Sequence, residues 1–204
     1  MRIPVADHLR AEQSPGYPIL WASRFELRPF ALRDIEPLTS MARAHRIADT
    51  SIGIPHPYTA QFARMWISSH EGDWRTNRAL HWAAARLDDP HHLAGYAGLV
   101  GIDRERRQGE LRFWVGRGVE RHCDALEWCE AVVEFAFSTL HFERLYALQM
   151  QRHKLAGHVL ESLGMRRIGA VRKRVFPEGL MEDIECWAMQ RAEQHSSRPR
   201  ELNP

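Results

Sequence analysis

Apolar side chains recur along most of this chain with two alternating periods, one typical of strands and the other typical of helices. Alternation at residues 25–29 predicts a strand, and a three-to-four-residue spacing over 32–47 predicts a helix. Thr59 can serve as the N-cap of a second helix, because its hydroxyl can accept a hydrogen bond from a free N–H of the first turn. The first part of the chain therefore predicts a strand followed by two helices.

The rest of the periodic region predicts a meander of three strands followed by alternating helices and strands. Gly164 is placed to end the last helix, because glycine readily takes the left-handed conformation after a helix C-terminus. This order predicts an α/β domain with a mixed, mostly antiparallel central sheet and helices on both faces. The predicted strands lie at 80–87, 93–102, 110–115, 144–150, 166–176 and 183–189, and the predicted helices at 124–140 and 153–163.

Both ends of the chain lack this periodicity. Prolines and a glycine interrupt residues 1–23, which we interpret as an irregular N-terminal extension, and the polar residues 191–204 as a flexible tail. Residues 24–190 are then one domain. With 204 residues and 44% hydrophobic side chains, the chain is long enough to bury a core of its own.

Charge and cysteine content narrow the classes of partner and location. The formal net charge is +2, which gives no strong field for nucleic acid, and no apolar run approaches the ~20 residues of a membrane span. We therefore expect neither nucleic acid nor a membrane as a partner. Cys123, Cys129 and Cys186 are odd in number and lack C-x-x-C spacing, which favours reduced thiols and a cytoplasmic location. A homodimer is compatible with these features.

Six segments, in this order, carry a family resemblance: LRPF with RDIEPL, IPHPYT, AGYAGLVGID, GELRFWVG, AVVEFAFSTLHFERLYA and VLESLGMRRIGAVRKRVFPEGLMEDIECWAM. Together they resemble the GNAT (Gcn5-related N-acetyltransferase) superfamily, and within it the ribosomal-protein N-terminal-acetyltransferase-like branch. The resemblance covers roughly residues 24–190. It implies transfer of an acetyl group from acetyl-CoA to a primary amine, either a protein N-terminus or a small amine.

The resemblance also implies where acetyl-CoA would bind. Two central strands separate, the backbone of one pairs with the pantetheine arm, and the N-terminus of the next helix faces the pyrophosphate. The positions carried over to this sequence are Val115 on the strand, and Arg117, Arg121, His122, Cys123, Asp124 and Ala125 in the loop and the start of the helix.

The loop departs from the family pattern, which is approximately Gln/Arg-x-x-Gly-x-Gly/Ala. Its two glycine positions fall on Arg121 and Cys123, whose side chains are expected to narrow the space above the helix. Asp124 is expected to act as an N-cap and to repel a diphosphate. Arg117, Arg121 and His122 could instead bind phosphate through their side chains.

A second departure lies before the LESLG helix. The family's Asn and Ser there become His153, which can still donate a hydrogen bond, and Ala156, which cannot. Two interpretations of these departures stay open. Either the acetyl-CoA site is shifted, or the protein has the GNAT fold but has lost its CoA site and acts as a binding module. A toxin-like or antibiotic-modifying transferase is a third reading, since the fold alone does not set the acceptor.

The resemblance places one candidate general base, Glu110, on the central strand facing the acceptor. The alternative is a structural ion pair between Glu110 and Arg112. His122 and His153 are candidates for proton transfer, Tyr146 for protonating a leaving thiolate, and Cys123 for a covalent route.

A group of aromatic side chains surrounds the second helix and the strand after it. The resemblance implies that this region forms the acceptor pocket, whereas ordinary core packing is the favoured interpretation. The group comprises Tyr58, Trp66, Trp74 and Trp82.

Overall fold

The computed structural model describes residues 16–44, 57–116, 122–174 and 181–191, and these form eight strands and four α-helices. The strands are β1 (Leu20–Trp21), β2 (Phe25–Pro29), β3 (Leu80–Arg86), β4 (Leu93–Asp103), β5 (Gln108–Val115), β6 (Arg144–Met150), β7 (Arg166–Arg174) and β8 (Met181–Gln190). The helices are α1 (Ile35–Ala44), α2 (Ala60–Arg75), α3 (His122–Ser138) and α4 (Lys154–Ser162).

The strands form one sheet in the order β1-β2-β3-β4-β5-β6-β8-β7. Neighbours are antiparallel except for β5 and β6, which are parallel. Connections of parallel strands need a crossover, and α3 supplies it here. The predicted mixed, mostly antiparallel sheet is confirmed.

Strands β5 and β6 pair over a short stretch and then separate. Their ladder runs from Gln108 opposite Arg144 to Glu110 opposite Tyr146. Beyond Glu110, β5 continues along β4 as far as Val115, and β6 continues along β8. Within the described residues the sheet is therefore split between the second half of β5 and that of β6.

Opposite faces of the sheet carry two separate apolar cores. On one face, α3 and α4 contribute side chains such as Trp128 and Leu160, which belong to the same buried cluster as Trp82 and Leu99 of the sheet. On the other face, α1 and α2 cover Tyr96, Trp114 and their neighbours. The predicted helices on both faces are confirmed, because alternate residues of the strands point to opposite sides.

Several predicted ends of elements are also confirmed. The Thr59 hydroxyl accepts a hydrogen bond of 3.2 Å from the Phe62 N–H, which caps α2. Gly164 follows α4 with a φ of +84°, the left-handed conformation that glycine adopts without strain. The predicted helix over 32–47 begins instead as a 3₁₀ turn at Leu32–Asp34, and its predicted end lies outside the described residues.

Residues 16–23 belong to the domain, which corrects the predicted extent of the irregular extension. β1 pairs with β2, and Tyr17 is buried with its hydroxyl 2.6 Å from the His81 N–H and 3.0 Å from the His81 carbonyl oxygen. The Trp82 indole donates to the Pro18 carbonyl at 2.7 Å. A two-residue strand is too short to show alternation, so the sequence pattern did not reveal it.

A buried ion pair ties β2 to the turn before α1. The Arg28 guanidinium lies 2.7 and 2.8 Å from the two carboxylate oxygens of Asp34, and both side chains are almost completely buried. Asp34 also accepts a hydrogen bond from the Ala31 N–H at 2.8 Å. These contacts explain the arginine of the segment LRPF and the aspartate of the segment RDIEPL.

Among the described helices, none combines the length and the apolar character needed to cross a membrane.

Candidate active site

A cavity of about 190 Å³ opens where β5 and β6 separate. Because the split passes through the sheet, the cavity is lined from both faces. Its walls from β3 to β6 are His81, Tyr96, Val100, Glu110, Leu111, Arg112, Phe113, Trp114, Ala147, Leu148 and Gln149. The helices and the segment before α2 add Leu38, Ala42, Tyr58, Phe62, Trp66, His153, Ala156 and Leu160.

The predicted base Glu110 lies in this cavity, at the last pair of the ladder before the split. Its carboxylate accepts hydrogen bonds from Nε and Nη2 of Arg112, at 2.7 and 3.1 Å. The Glu110 side chain is 9% exposed and that of Arg112 is 47% exposed. The two interpretations of Glu110 thus coincide: the carboxylate is ion-paired with Arg112, and it also faces a cavity.

Aromatic rings form the half of the cavity that lies under α1 and α2. The ring of Tyr96 lies 5.4 Å from that of Trp66 and 5.1 Å from that of Trp114, and Tyr58 and Phe62 line the opening beside them. The predicted aromatic group is therefore divided. Tyr58 and Trp66 line the cavity, whereas Trp74 and Trp82 pack in the core around Tyr17.

His81 is a cavity residue that the sequence did not reveal. Its Nδ1 lies 3.0 Å from the Tyr96 hydroxyl, and its Nε2 lies 3.7 Å from a carboxylate oxygen of Asp73. Burial lowers the pKa of His81 to about 4, and Asp73 opposes that shift only in part. The imidazole is therefore neutral near pH 7, and the Tyr96 hydroxyl donates to its Nδ1 when Nε2 carries the proton.

A second histidine, His70 on α2, stacks on His81 with 4.2 Å between ring centroids. Burial, followed by the neighbouring His81, lowers the pKa of His70 to about 2. Neither of its ring nitrogens has a hydrogen-bond partner among the described residues. The sequence offers no local signal for this pair, since His70 comes from α2 and His81 from β3.

On the other side of the split, Gln149 presents an unpaired acceptor. Its Nε2 donates to a carboxylate oxygen of Glu185 at 2.8 Å, which fixes the orientation of the amide. Its Oε1 is buried and has no hydrogen-bond partner in the described part of the chain. Gln149 lines the cavity together with His153 and Ala156, the two positions that depart from the family pattern. The sequence did not single out Gln149.

His153 is half-buried at the start of α4, and burial, assisted by the charge of Arg152, lowers its pKa. Its side chain makes no capping hydrogen bond to the helix. A neutral imidazole in this position can donate or accept one hydrogen bond within the cavity.

The expectation that Asp124 is an N-cap is wrong. Asp124 is the third residue of α3, inside its first turn, and its Oδ1 lies 2.6 Å from Nη2 of Arg24. The same guanidinium reaches Glu127 at 2.7 Å. The expected repulsion of a diphosphate by Asp124 is therefore reduced, because a cation is bound to the carboxylate.

The remaining candidates are spread over α3, β5 and their connection. Val115 ends β5 opposite Gly95, and the side chain of Ala125 is fully buried in the core rather than exposed at the helix start. Arg117 and Arg121 lie outside the described residues, as do the side chains of His122 and Cys123, whose backbone begins α3.

Tyr146 is paired opposite Glu110 in the ladder but does not line the cavity. Cys129 is buried in the core, and burial raises the pKa of its thiol.

A family model described as "Acetyltransferase (GNAT) domain" matches residues 24–166. The chain belongs to the GNAT acetyltransferase family. The match covers more than half of the chain and includes β2 to β6 together with α1 to α4.

Two curated proteins of Bacillus subtilis are similar to this GNAT chain. The uncharacterized N-acetyltransferase YoaA is 21% identical over 173 residues, which are 85% of this chain and 97% of that protein. A protein named "Putative ribosomal N-acetyltransferase YdaF" is 23% identical over 122 residues, which are 59% of this chain and 67% of that protein. These names agree with the predicted resemblance to the ribosomal-protein branch.

Solved structures share the fold at lower identity. RimJ of Mycobacterium smegmatis, in complex with CoA-disulfide, is 16% identical with a TM-score of 0.76, covering 86% of this chain and 88% of that one. A spermidine N-acetyltransferase of Vibrio cholerae, in complex with CoA and spermine, is 15% identical with a TM-score of 0.71, covering 85% and 99%.

Proposed function

We propose that the protein is an N-acetyltransferase that transfers the acetyl group of acetyl-CoA to a primary amine of a small molecule or peptide. The observation that carries this proposal is the position of Glu110. Its carboxylate is buried, lines the cavity, and lies at the last paired position before β5 and β6 separate. An ammonium group entering from the α1–α2 side and an acyl group entering through the split would meet beside it.

The split supports a site for the pantetheine arm. The half of β5 that ends at Val115 has lost β6 as its neighbour, so it offers a strand edge to an extended ligand. The unpaired Oε1 of Gln149 fits an amide N–H of that arm, and His153 offers a further hydrogen bond. A buried acceptor without a partner costs free energy, so a donor from the ligand would stabilise the complex.

For the pyrophosphate we propose the start of α3 and the loop before it. Helix N-termini attract phosphate through the free N–H groups and the helix dipole. Arg24 offsets the charge of Asp124 at this end. The residues proposed to lie around the phosphates are Arg117, Arg121, His122, Cys123 and Asp124. Ala125, whose side chain is buried in the core, would contribute only its backbone N–H.

The chemistry assigned to this chain's residues is proton transfer and orientation. Glu110 takes a proton from the acceptor ammonium, directly or through water, and Arg112 holds the carboxylate in place. The free amine attacks the thioester carbonyl, so that a carbon–nitrogen bond forms and the carbon–sulfur bond breaks. The second proton lost by the nitrogen goes to the departing thiolate, and the proton on Glu110 returns to solvent.

The rival proposal, a binding module without acetyl-CoA, is less well supported. It leaves the buried carboxylate at the apex of the cavity without a role beyond its ion pair with Arg112. Both departures from the family pattern concern side chains, whereas the split that would receive the pantetheine arm is formed by the backbone.

Calorimetric titration with acetyl-CoA and a turnover assay test the proposal together. Glu110→Gln should lower kcat by about 100-fold or more, with an unchanged Kd for acetyl-CoA, because general-base catalysis contributes about that much. Glu143→Gln, which alters an exposed carboxylate paired with Arg107, is the matched control. Absence of acetyl-CoA binding to the wild-type protein would overturn the proposal, and full turnover by Glu110→Gln would remove Glu110 from it.

A further inference from the structure

The acceptor side of the cavity contains a cation with unused hydrogen-bonding capacity. Nε and Nη2 of Arg112 donate hydrogen bonds to Glu110, whereas its Nη1 has no hydrogen-bond partner among the described residues. The Arg112 side chain is about half exposed, although the side chain of Glu110, which it binds, is buried. Since Arg112 lines the cavity, its free N–H groups are available to a ligand. Such a fork of donors is suited to a carboxylate or a phosphate.

Glu110 and Arg112 present opposite charges in direct contact on one face of β5. They are two residues apart on a strand, so their side chains point to the same side. In an α-amino acid the ammonium and the carboxylate are joined through a single carbon. One molecule can therefore place its ammonium on Glu110 and its carboxylate on the free side of Arg112. A peptide N-terminus has an amide carbonyl in place of that carboxylate.

The walls beside these charges indicate what the rest of the acceptor is. The rings of Trp66, Tyr96 and Trp114 contact one another and form an aromatic surface, and Tyr58 lines the same cavity. The Tyr96 ring is held in position by its hydrogen bond to His81. Flat rings and large apolar groups pack favourably against such a surface. A small or strongly polar side chain would leave it in contact with water.

We propose that the acceptor is a free α-amino acid with an aromatic or large apolar side chain, bound by its ammonium to Glu110 and by its carboxylate to Arg112. This inference rests on the proposed acetyl-transfer function. The bond changes are those given above, and the products are the N-acetyl amino acid and CoA with a free thiol. Arg112 is here a specificity-determining residue as well as the partner of Glu110.

A panel of acceptors that differ from L-phenylalanine in the carboxylate or in the ring tests the inference. The wild-type protein is assayed with acetyl-CoA and L-phenylalanine, L-phenylalaninamide, phenethylamine or L-alanine, following thiol release and the mass of the product. We expect kcat/KM to be about tenfold or more higher for L-phenylalanine than for each of the other three, because each lacks the carboxylate or the ring. Equal or greater turnover of the amide or of phenethylamine would overturn the inference and leave acetyl transfer standing.

An Arg112→Gln variant separates recognition from folding. We expect KM for L-phenylalanine to rise about tenfold or more and the preference over phenethylamine to disappear, with the Kd for acetyl-CoA retained. Arg86→Gln, in an exposed pair with Asp88, is the control and should keep the wild-type preference. If Arg112→Gln keeps that preference as well, the inference is wrong. If the wild-type protein does not bind acetyl-CoA, the proposed function fails first, and calorimetry shows which of the two has failed.

Discussion

Nη2 of Arg24 lies 2.6 Å from Oδ1 of Asp124, and this contact joins the segment before β2 to the first turn of α3. The backbone N–H of Arg24 also donates to Glu127 at 2.5 Å. Two carboxylates near one helix N-terminus are thereby matched by one guanidinium. The charge near the proposed pyrophosphate site depends on a residue far from it in the sequence.

Replacing Arg24 with Gln should weaken acetyl-CoA binding. The variant removes the positive charge of Arg24 from beside Asp124 and Glu127, so the proposed phosphate site becomes more negative. We expect Kd to rise about threefold to tenfold at low ionic strength and the difference to shrink at high ionic strength, because salt screens such charges. Calorimetry at two salt concentrations measures this. Arg104→Gln, whose partner is Asn77, is the control, and a Kd for Arg24→Gln equal to that of the wild type would contradict the prediction.

Replacing Gln149 with Leu should also weaken the binding of acetyl-CoA, by a factor that does not depend on the salt concentration. The change removes the buried Oε1 that we assign to an amide N–H of the ligand. One such hydrogen bond is worth about 1 kcal/mol, so Kd should rise about fivefold. Glu185 keeps its contact with Arg167 in the variant. Gln151→Leu, an exposed position in the following turn, should bind as the wild type does; equal Kd values for the two variants would refute the assignment.

Much of the fold could be predicted because its signals are local. The strand Arg144–Met150, the cap at Thr59 and the helix stop at Gly164 each depend on residues within a few positions of one another. The choice of Glu110 as a candidate base comes from the family resemblance rather than from periodicity, and its role stays a prediction.

The site's polar partners could not be predicted, because they meet only after the sheet has formed. His81 and Tyr96 come from adjacent strands, and the register that aligns them is not written in either strand alone. The pairing of Arg24 with Asp124 likewise joins separate elements. An unpaired acceptor such as Oε1 of Gln149 has no sequence signal at all, since it is defined by what surrounds it.

Stability should fall as the pH is lowered, because of the stacked pair His70 and His81. Burial lowers the pKa of His70 to about 2 and that of His81 to about 4, from an ordinary value of 6.5. Between each lowered pKa and 6.5, the unfolded chain therefore binds more protons than the folded one. The stabilisation is complete above about pH 6.5 and is lost as the pH falls. Near pH 5 we expect a loss of about 2 kcal/mol for each histidine, measured by urea unfolding.

A His70→Phe variant isolates one half of this effect. The ring nitrogens of His70 have no partner among the described residues, so a benzene ring of similar shape should be tolerated near pH 7.5. The loss on acidification should shrink by about half. The exposed His91→Phe should leave the wild-type pH dependence unchanged. If the stability of His70→Phe depends on pH as steeply as that of the wild type, His70 does not contribute to the loss of stability at low pH.

Breaking the ion pair of Arg28 and Asp34 should be strongly destabilising. Arg28→Leu leaves the buried carboxylate of Asp34 without its cation, at a cost of about 3–5 kcal/mol in the free energy of unfolding. The double variant Arg28→Leu, Asp34→Leu should recover part of that loss, because it removes the unpaired charge. Urea unfolding measures both, and Arg86→Leu at an exposed pair should change stability by less than about 1 kcal/mol. A double variant no more stable than Arg28→Leu would contradict this account.

The split between β5 and β6 has a consequence for how this protein can change over evolutionary time. A groove bounded by main chain survives the exchange of most side chains along it, whereas a site built from side chains is lost when one of them is replaced. Substitutions such as those at His153 and Ala156 can therefore accumulate while the groove keeps its shape. Residues on the acceptor side of the cavity, around Arg112 and Trp66, can then change under selection while the groove between β5 and β6 is retained.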